Sequence, residues 1–277
     1  MAPTWHSTDP APAPPPIGLA GWGRVLGRGA GLAVVLGAGV GALAVLRVIE
    51  VAALRRRRVL SPLVSQQVSR AALRIIGLSI RVEGVPLSGP GAVVANHVSW
   101  LDILVLNAAQ RVFFVSKSEV AHWPGIGFLA RITGTEFITR RGADAVRQKA
   151  QLVARLSDGA RLLFFPEGTS SDGLQVLPFK PTLFAAFFDS ALQDRLALQA
   201  ATLVYHAPRG ADARVYGWWG DMGFGPHFLA VLARPSHGGV TVVLHSPLRA
   251  GDFDSRKQLA AQCEAMVRAG MPANFGQ

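Results

Sequence analysis

From Gly29 to Leu46 the chain carries no charged residue, and this run constrains the fold more than any other feature. A stretch of Gly, Ala, Val and Leu this long cannot face water on every side. A helix needs about 20 apolar residues to span a bilayer core. Continuing past Arg47 and Glu50 to Leu54 extends the helix candidate, and those two charges, three apart, can pair on one face. The glycines within it lower helix propensity but let another helix approach closely. Arg55-Arg56-Arg57-Arg58 follows at once. Positive residues beside an apolar helix stay in the cytoplasm, which places the downstream chain there; Arg24 and Arg28 on the other flank are fewer. A cleaved leader is disfavoured because the run starts late and ends in a basic stop. Residues 1–28 read as a tail, disordered or polyproline-like through Pro10-Ala11-Pro12-Ala13-Pro14-Pro15-Pro16.

Residues 29–80 are therefore expected to form a membrane-anchoring helical region with an arginine collar. Its second half, residues 62–80, alternates Val64, Val68, Leu73, Ile76 and Leu78 with Arg70 and Arg74. That pattern suits an amphipathic helix, either at the lipid interface or packed on a core. From residue 81 to 277, short apolar runs at 92–95, 112–115, 136–139, 161–165, 201–205 and 240–245 alternate with helix-like stretches at 143–157, 181–193, 222–233 and 254–269. The alternation predicts an α/β fold, a central mixed sheet flanked by helices, with sites collecting at strand ends. The formal charge of +11 admits nucleic acid, an anionic membrane or anionic substrates as partners. With half the residues hydrophobic, only 16% charged and no nucleic-acid motif, the bilayer is favoured and nucleic acid is not expected. Cys263 is the only cysteine, so no internal disulfide exists; its expected role is that of a small apolar residue.

The first apolar run ends in Asn96-His97-Val98-Ser99-Trp100-Leu101-Asp102. A strand ending here presents the imidazole at the sheet edge, and Asp102 falls in the first turns of the next helix. If the chain turns between them, the carboxylate reaches back to one ring nitrogen, fixes the tautomer and makes the other nitrogen the base. Asn96 and Ser99 are suited to hold that turn. Gly134-Thr135-Glu136-Phe137-Ile138-Thr139-Arg140 comes next, with Arg140 offering a guanidinium fork to an anion or forming a solvated basic turn. In Phe165-Pro166-Glu167-Gly168-Thr169-Ser170-Ser171, proline ends a strand, glycine permits a tight turn, and the amides and hydroxyls of Gly168, Thr169 and Ser170 are placed to face an anion. Pro178-Phe179-Lys180 follows, with Lys180 as an anion ligand or a helix cap.

These three blocks, in this order and at these separations, resemble the glycerolipid acyltransferase family, which includes the 1-acylglycerol-3-phosphate acyltransferases. The resemblance runs from about Val82 to about Leu248. It implies His97 and Asp102 as the catalytic pair and Arg140, Glu167, Gly168, Thr169 and Lys180 as acceptor-binding residues. It also implies acyl transfer from acyl-CoA or an acyl-carrier-protein to a lysolipid hydroxyl, with no metal or redox cofactor. Glu136 departs from the family's usual apolar residue, and Ala200 stands where a proline is usual. Trp218-Trp219-Gly220-Asp221-Met222 resembles a stretch in the family branch that acylates lyso-ornithine lipid.

The spacing of His206, His227, His237 and His245 matches no metal motif, and no Gly-x-Ser-x-Gly elbow exists. The expected activity is acylation of 1-acyl-sn-glycerol-3-phosphate to phosphatidate at the cytoplasmic face of the inner membrane. The alternatives are acylation of lyso-ornithine lipid, or a catalytically dead lipid-binding protein. Intact His97, Asp102 and Glu167 argue against the last.

Overall fold

The structure is a computed structural model that describes residues 4–53, 58–139, 144–189, 192 and 195–272. Helix α1 (Leu19–Ala53) leads into α2 (Ser61–Ile76). Two glycines of the uncharged run set their spacing. A Cβ on Gly39 would lie 2.5 Å from Val68, and one on Gly31 would lie 3.2 Å from Ile75. Glu50, fully buried, closes the hairpin by accepting the Leu60 and Ser61 amides at 2.8 Å each and the Ser61 hydroxyl at 2.5 Å. It takes the place of an N-cap residue for α2 and pairs with Arg47 at 3.4 Å.

The helix begins at Leu19 rather than Gly29, running through Arg24 and Arg28. Those arginines can sit in an apolar helix because they bond the carbonyls ending α6 (Phe224–Ala233). Arg24 donates to Ala233, and Arg28 to Leu232 and Arg234, each at 2.7 Å. Residues 4–18 are irregular but lie against the domain, with Arg214 donating to the Pro10 carbonyl at 3.3 Å. Arg55, Arg56 and Arg57 of the collar lie outside the described residues. Helix α2 packs on α3 (Leu101–Ala109), to whose Ala108 carbonyl Arg70 donates at 3.0 Å. Of its two sequence readings, the contacts support the core-packing one.

Among the described residues the domain is an eight-stranded mixed sheet. Its strands are β1 (Ser79–Glu83), β2 (Gly91–Ala95), β3 (Phe113–Lys117), β4 (Glu136–Ile138), β5 (Arg161–Phe164), β6 (Ala197–His206), β7 (Gly239–Leu244) and β8 (Leu248–Arg249). The order is β1-β7-β6-β2-β5-β3-β4, with β8 beside β6. β2 runs parallel to both β5 and β6, while β6 and β7 are antiparallel. Central β2 is buried at every position, as a strand covered on both faces must be. One face of the sheet carries α2, α3 and α6. The other carries α5 (Ala145–Ser157), α7 (Arg256–Ala269) and Phe184 and Phe187 of a short 3-10 helix, Leu183–Phe188. That 3-10 turn stands where a longer helix was expected at 181–193. β1 takes the end of the stretch expected to be helical to residue 80: Gly77, with φ of 91°, ends α2 and releases the chain into the edge strand.

Candidate active site

The site forms where β2 ends, at the carboxyl edge of the central strands. Asn96 continues β2 by using its side chain as a peptide. It donates to the Leu203 carbonyl at 3.0 Å and accepts the Leu203 amide at 2.8 Å, which holds the strand exit against β6. His97 then turns its ring towards Asp102, and Nδ1 meets Oδ2 at 2.8 Å. Because Oδ2 also accepts the amides of Val98 at 2.7 Å and Ser99 at 3.0 Å, it faces three donors when Nδ1 carries the proton. A fully buried carboxylate survives only with such partners. The ring stacks on Phe165 with centroids 4.0 Å apart and is 21% exposed, so Nε2 is the nitrogen left for chemistry.

The block after β5 clamps the histidine backbone. The His97 amide donates to Glu167 Oε2 at 3.1 Å, and its carbonyl accepts the Ser171 amide at 2.9 Å. Glu167 Oε1 takes the Leu177 amide at 3.0 Å. The carboxyl is 1% exposed, and burial pushes it well above the usual carboxylate range despite the two amides. Glu167 was expected to touch the acceptor; the structure turns it inward, behind His97. Gly168 occupies a tight turn at φ 71°, a conformation costly for other residues. Thr169 is part-exposed beside it and accepts the Trp5 amide at 3.4 Å. Lys180 is exposed, with its backbone amide on the Pro166 carbonyl at 3.0 Å. Arg140 lies outside the described residues. Glu136 is engaged by Arg155 of α5 at 2.7 Å, so its charge is neutralised locally.

Sequence reasoning gave Tyr205 no role, and it marked the Trp218–Met222 stretch without its place beside His97. Tyr205 on β6 donates its hydroxyl to Asp102 Oδ1 at 2.7 Å. The Trp218–Met222 loop rests directly on the turn between His97 and Asp102, with the Trp218 amide on the Val98 carbonyl at 2.9 Å and Ser170 donating to the Trp218 carbonyl at 2.5 Å. Around it, Trp123 meets Trp218, Trp218 and Trp100 meet Phe224, and Trp5 meets Trp219, all within 6.3 Å between centroids. Trp100 also donates to Nδ1 of His227 at 2.9 Å, and burial lowers that imidazole to about 4. Cys263 is buried and its thiol pushed up to about 12, which leaves it a small apolar side chain.

Comparisons with known proteins agree on a family. Residues 79–202 match the family described as Acyltransferase. A lyso-ornithine lipid O-acyltransferase of Rhodobacter capsulatus is 51% identical over 97% of this chain and 97% of its own. A 1-acyl-sn-glycerol-3-phosphate acyltransferase of Neisseria meningitidis is 33% identical over 52% of this chain and 56% of its own. The crystal structure of the 1-acyl-sn-glycerophosphate acyltransferase PlsC from Thermotoga maritima superposes with a TM-score of 0.64 at 19% identity, covering 91% of this chain and 96% of that one. This last likeness establishes the mixed-sheet fold.

Proposed function

Because the chain belongs to the Acyltransferase family, we propose that it moves a fatty acyl group from an acyl thioester to the free hydroxyl of lyso-ornithine lipid. The observation that carries this acceptor is the likeness to the Rhodobacter capsulatus enzyme along nearly the whole of both chains. The glycerol-phosphate acceptor, put first from the sequence, is represented among the relatives too, at lower identity and over about half the chain. The loop Trp218–Met222, packed on the catalytic turn, supports the same ordering, since it places the stretch that resembles the ornithine-lipid branch beside His97.

The mechanism follows from the dyad. Asp102 holds the Nδ1 proton, so Nε2 of His97 takes the proton of the acceptor hydroxyl. The oxygen attacks the thioester carbonyl and forms a tetrahedral oxyanion. Its collapse breaks the C–S bond, and the leaving thiolate takes the proton from His97. An ester and a free thiol result, and no covalent enzyme intermediate is needed. The donor is acyl-CoA or an acyl-carrier-protein. An amino-acid head group offers a carboxylate, for which Arg140 and Lys180 are the candidates read from the sequence, and Gly168 and Thr169 form the turn directly after Glu167. Glu167 supports the site from behind.

The described helix long and apolar enough to cross a membrane is α1. Contacts to α6 at its start and to α4 (Ile126–Thr133) hold it along the domain. A helix of 35 residues is about 52 Å long, and a crossing would carry one end about 30 Å away from the domain. We therefore place α1 with its outward face, including Trp22, Leu26, Val34, Val45 and Val48, in one leaflet of the inner membrane, with the catalytic domain in the cytoplasm.

The test is to give membranes containing the protein labelled acyl-carrier-protein and acyl-CoA, with lyso-ornithine lipid and lysophosphatidate together and His97→Ala membranes as control. Ornithine lipid is expected as the main labelled product. Preferential phosphatidate would restore the glycerol-phosphate reading, and label in neither lipid would refute both.

A further inference from the structure

We propose that Tyr205 is a positioning residue for acyl transfer, holding Asp102 by its far oxygen so that the near oxygen stays on His97. The inference rests on the reading of His97 as the base. Asp102 lies at the start of α3 with no exposed atom surface to speak of, and its two oxygens are served unequally. Oδ2 has His97 Nδ1, the Val98 amide and the Ser99 amide. Oδ1 has the Tyr205 hydroxyl at 2.7 Å. Without that donor, a buried carboxylate oxygen is stranded, and rotation about the Asp102 side chain to relieve it breaks the His97 contact.

The placement is built into the sheet. Asn96 pins the exit of β2 to Leu203. Tyr205 lies two residues further along β6, and alternation puts it on the same face, where it belongs to the same buried cluster as Leu203, Leu101 and Val105. The ring is 5% exposed, so it meets neither substrate. Burial and the facing carboxylate push the phenol well above the ordinary tyrosine range, which keeps it a donor at every working pH. Chain separation of 103 residues makes the contact a consequence of the parallel pairing of β2 and β6.

The other ionisable groups near the dyad are Glu167 behind the His97 peptide, Tyr216 beside Tyr205 with ring centroids 5.5 Å apart, and Arg268, whose charge acts on Glu167. All stay unchanged between wild type and Tyr205→Phe, so a difference between those two reports on Tyr205 alone.

Tyr205→Phe is expected to lower kcat about tenfold and leave KM for both substrates unchanged. With Oδ1 stranded, Asp102 turns off Nδ1 of His97, so the loss falls on the chemical step and not on substrate binding. Replacing Tyr205 with 3-fluorotyrosine, which keeps a hydroxyl donor of nearly the same shape, keeps kcat near wild type and tests the idea even if the Phe variant folds poorly. Tyr216→Phe is the structural control. That hydroxyl accepts the Gly238 amide at 2.9 Å, so its loss lowers the melting temperature and leaves kcat in place. If Tyr205→Phe behaves like Tyr216→Phe, with a lowered melting temperature and kcat as in wild type, Tyr205 is a packing residue and the proposal is overturned. Retained turnover in His97→Ala would instead remove the base itself, and the role of Tyr205 with it.

Discussion

Replacing Glu167 with glutamine separates a residue that binds the acceptor from one that holds the base. In the structure the two carboxyl oxygens accept the His97 amide at 3.1 Å and the Leu177 amide at 3.0 Å. Glutamine keeps one acceptor and turns the other into an NH2 group. Whichever way it is placed, one backbone N–H then faces another N–H in a site 1% exposed. A lost buried bond with its donor left unsatisfied costs about 1–3 kcal/mol, a fall of roughly 3–10 °C in melting temperature for a chain of this size. The wild-type carboxyl carries its own handicap. Its folded value is raised, so its favourable contribution is present at low pH and is lost as pH rises above the ordinary carboxylate range. The deficit of Glu167→Gln is therefore greatest in acid and shrinks towards neutrality. Below its melting temperature the variant should show reduced kcat, because the His97 backbone has lost one clamp, with KM for the acceptor unchanged. Thermal unfolding across pH and a full kinetic analysis on both acceptors test this. A tenfold rise in acceptor KM with wild-type kcat and wild-type melting would show that Glu167 reaches the substrate, and would refute the inward placement.

Three further outcomes follow from the same contacts. His97→Ala should abolish transfer while leaving folding and membrane association intact; near wild-type turnover of the purified variant would end the general-base mechanism. His227 and His237 are each lowered to about 4, the first by burial and the second by burial with Arg28 and Arg234 beside it. The unfolded chain takes up these protons first, so stability should hold above the ordinary histidine value of 6.5 and fall between there and about pH 4. A double variant, His227→Gln with His237→Asn, should flatten that slope in a melting-temperature series, and an unchanged slope would assign the acid loss elsewhere. Gly39→Leu has no room beside Val68, 2.5 Å from the position of a Cβ, and overpacking of this kind costs about 1–3 kcal/mol; protease sensitivity in the α1–α2 hairpin should rise, whereas Gly37→Leu, with open space around it, should match wild type.

The parts of this molecule that were legible in its sequence are those whose cause is local. Strands β2, β5 and β7 are short apolar runs bounded by turn residues, and a covered sheet requires that pattern. The pairing of His97 with Asp102 was legible because one turn of chain brings them together and the apolar run before them supplies the strand. The N-terminal boundary was misplaced because Arg24 and Arg28 look like flanking charges. They are interior to α1, and the α6 carbonyls that accept them come from more than 200 residues away. The tail was read from its prolines, which exclude helix and sheet but do not prevent Pro10 and Trp5 from meeting Arg214 and Thr169.

Glu167 shows what a resemblance leaves open. A motif marks that a carboxyl is needed near the base, and it is silent on which way the side chain points. Only the fold reveals that both oxygens are taken by amides. Tyr205 is the converse. It sits in the block that departs from the family pattern, reads as an ordinary strand residue, and acquires a function only when β6 is laid beside β2. The two cases share one physical logic. A general base must be held against the torque of each proton transfer, and the groups that hold it must be buried so that water cannot compete for their hydrogen bonds. Burial makes those groups strong and removes any surface signature. The residues that set the geometry of His97 are thus the ones that a reading for exposed, substrate-facing chemistry passes over. They should be sought by asking what each oxygen of the carboxylate paired with His97 accepts.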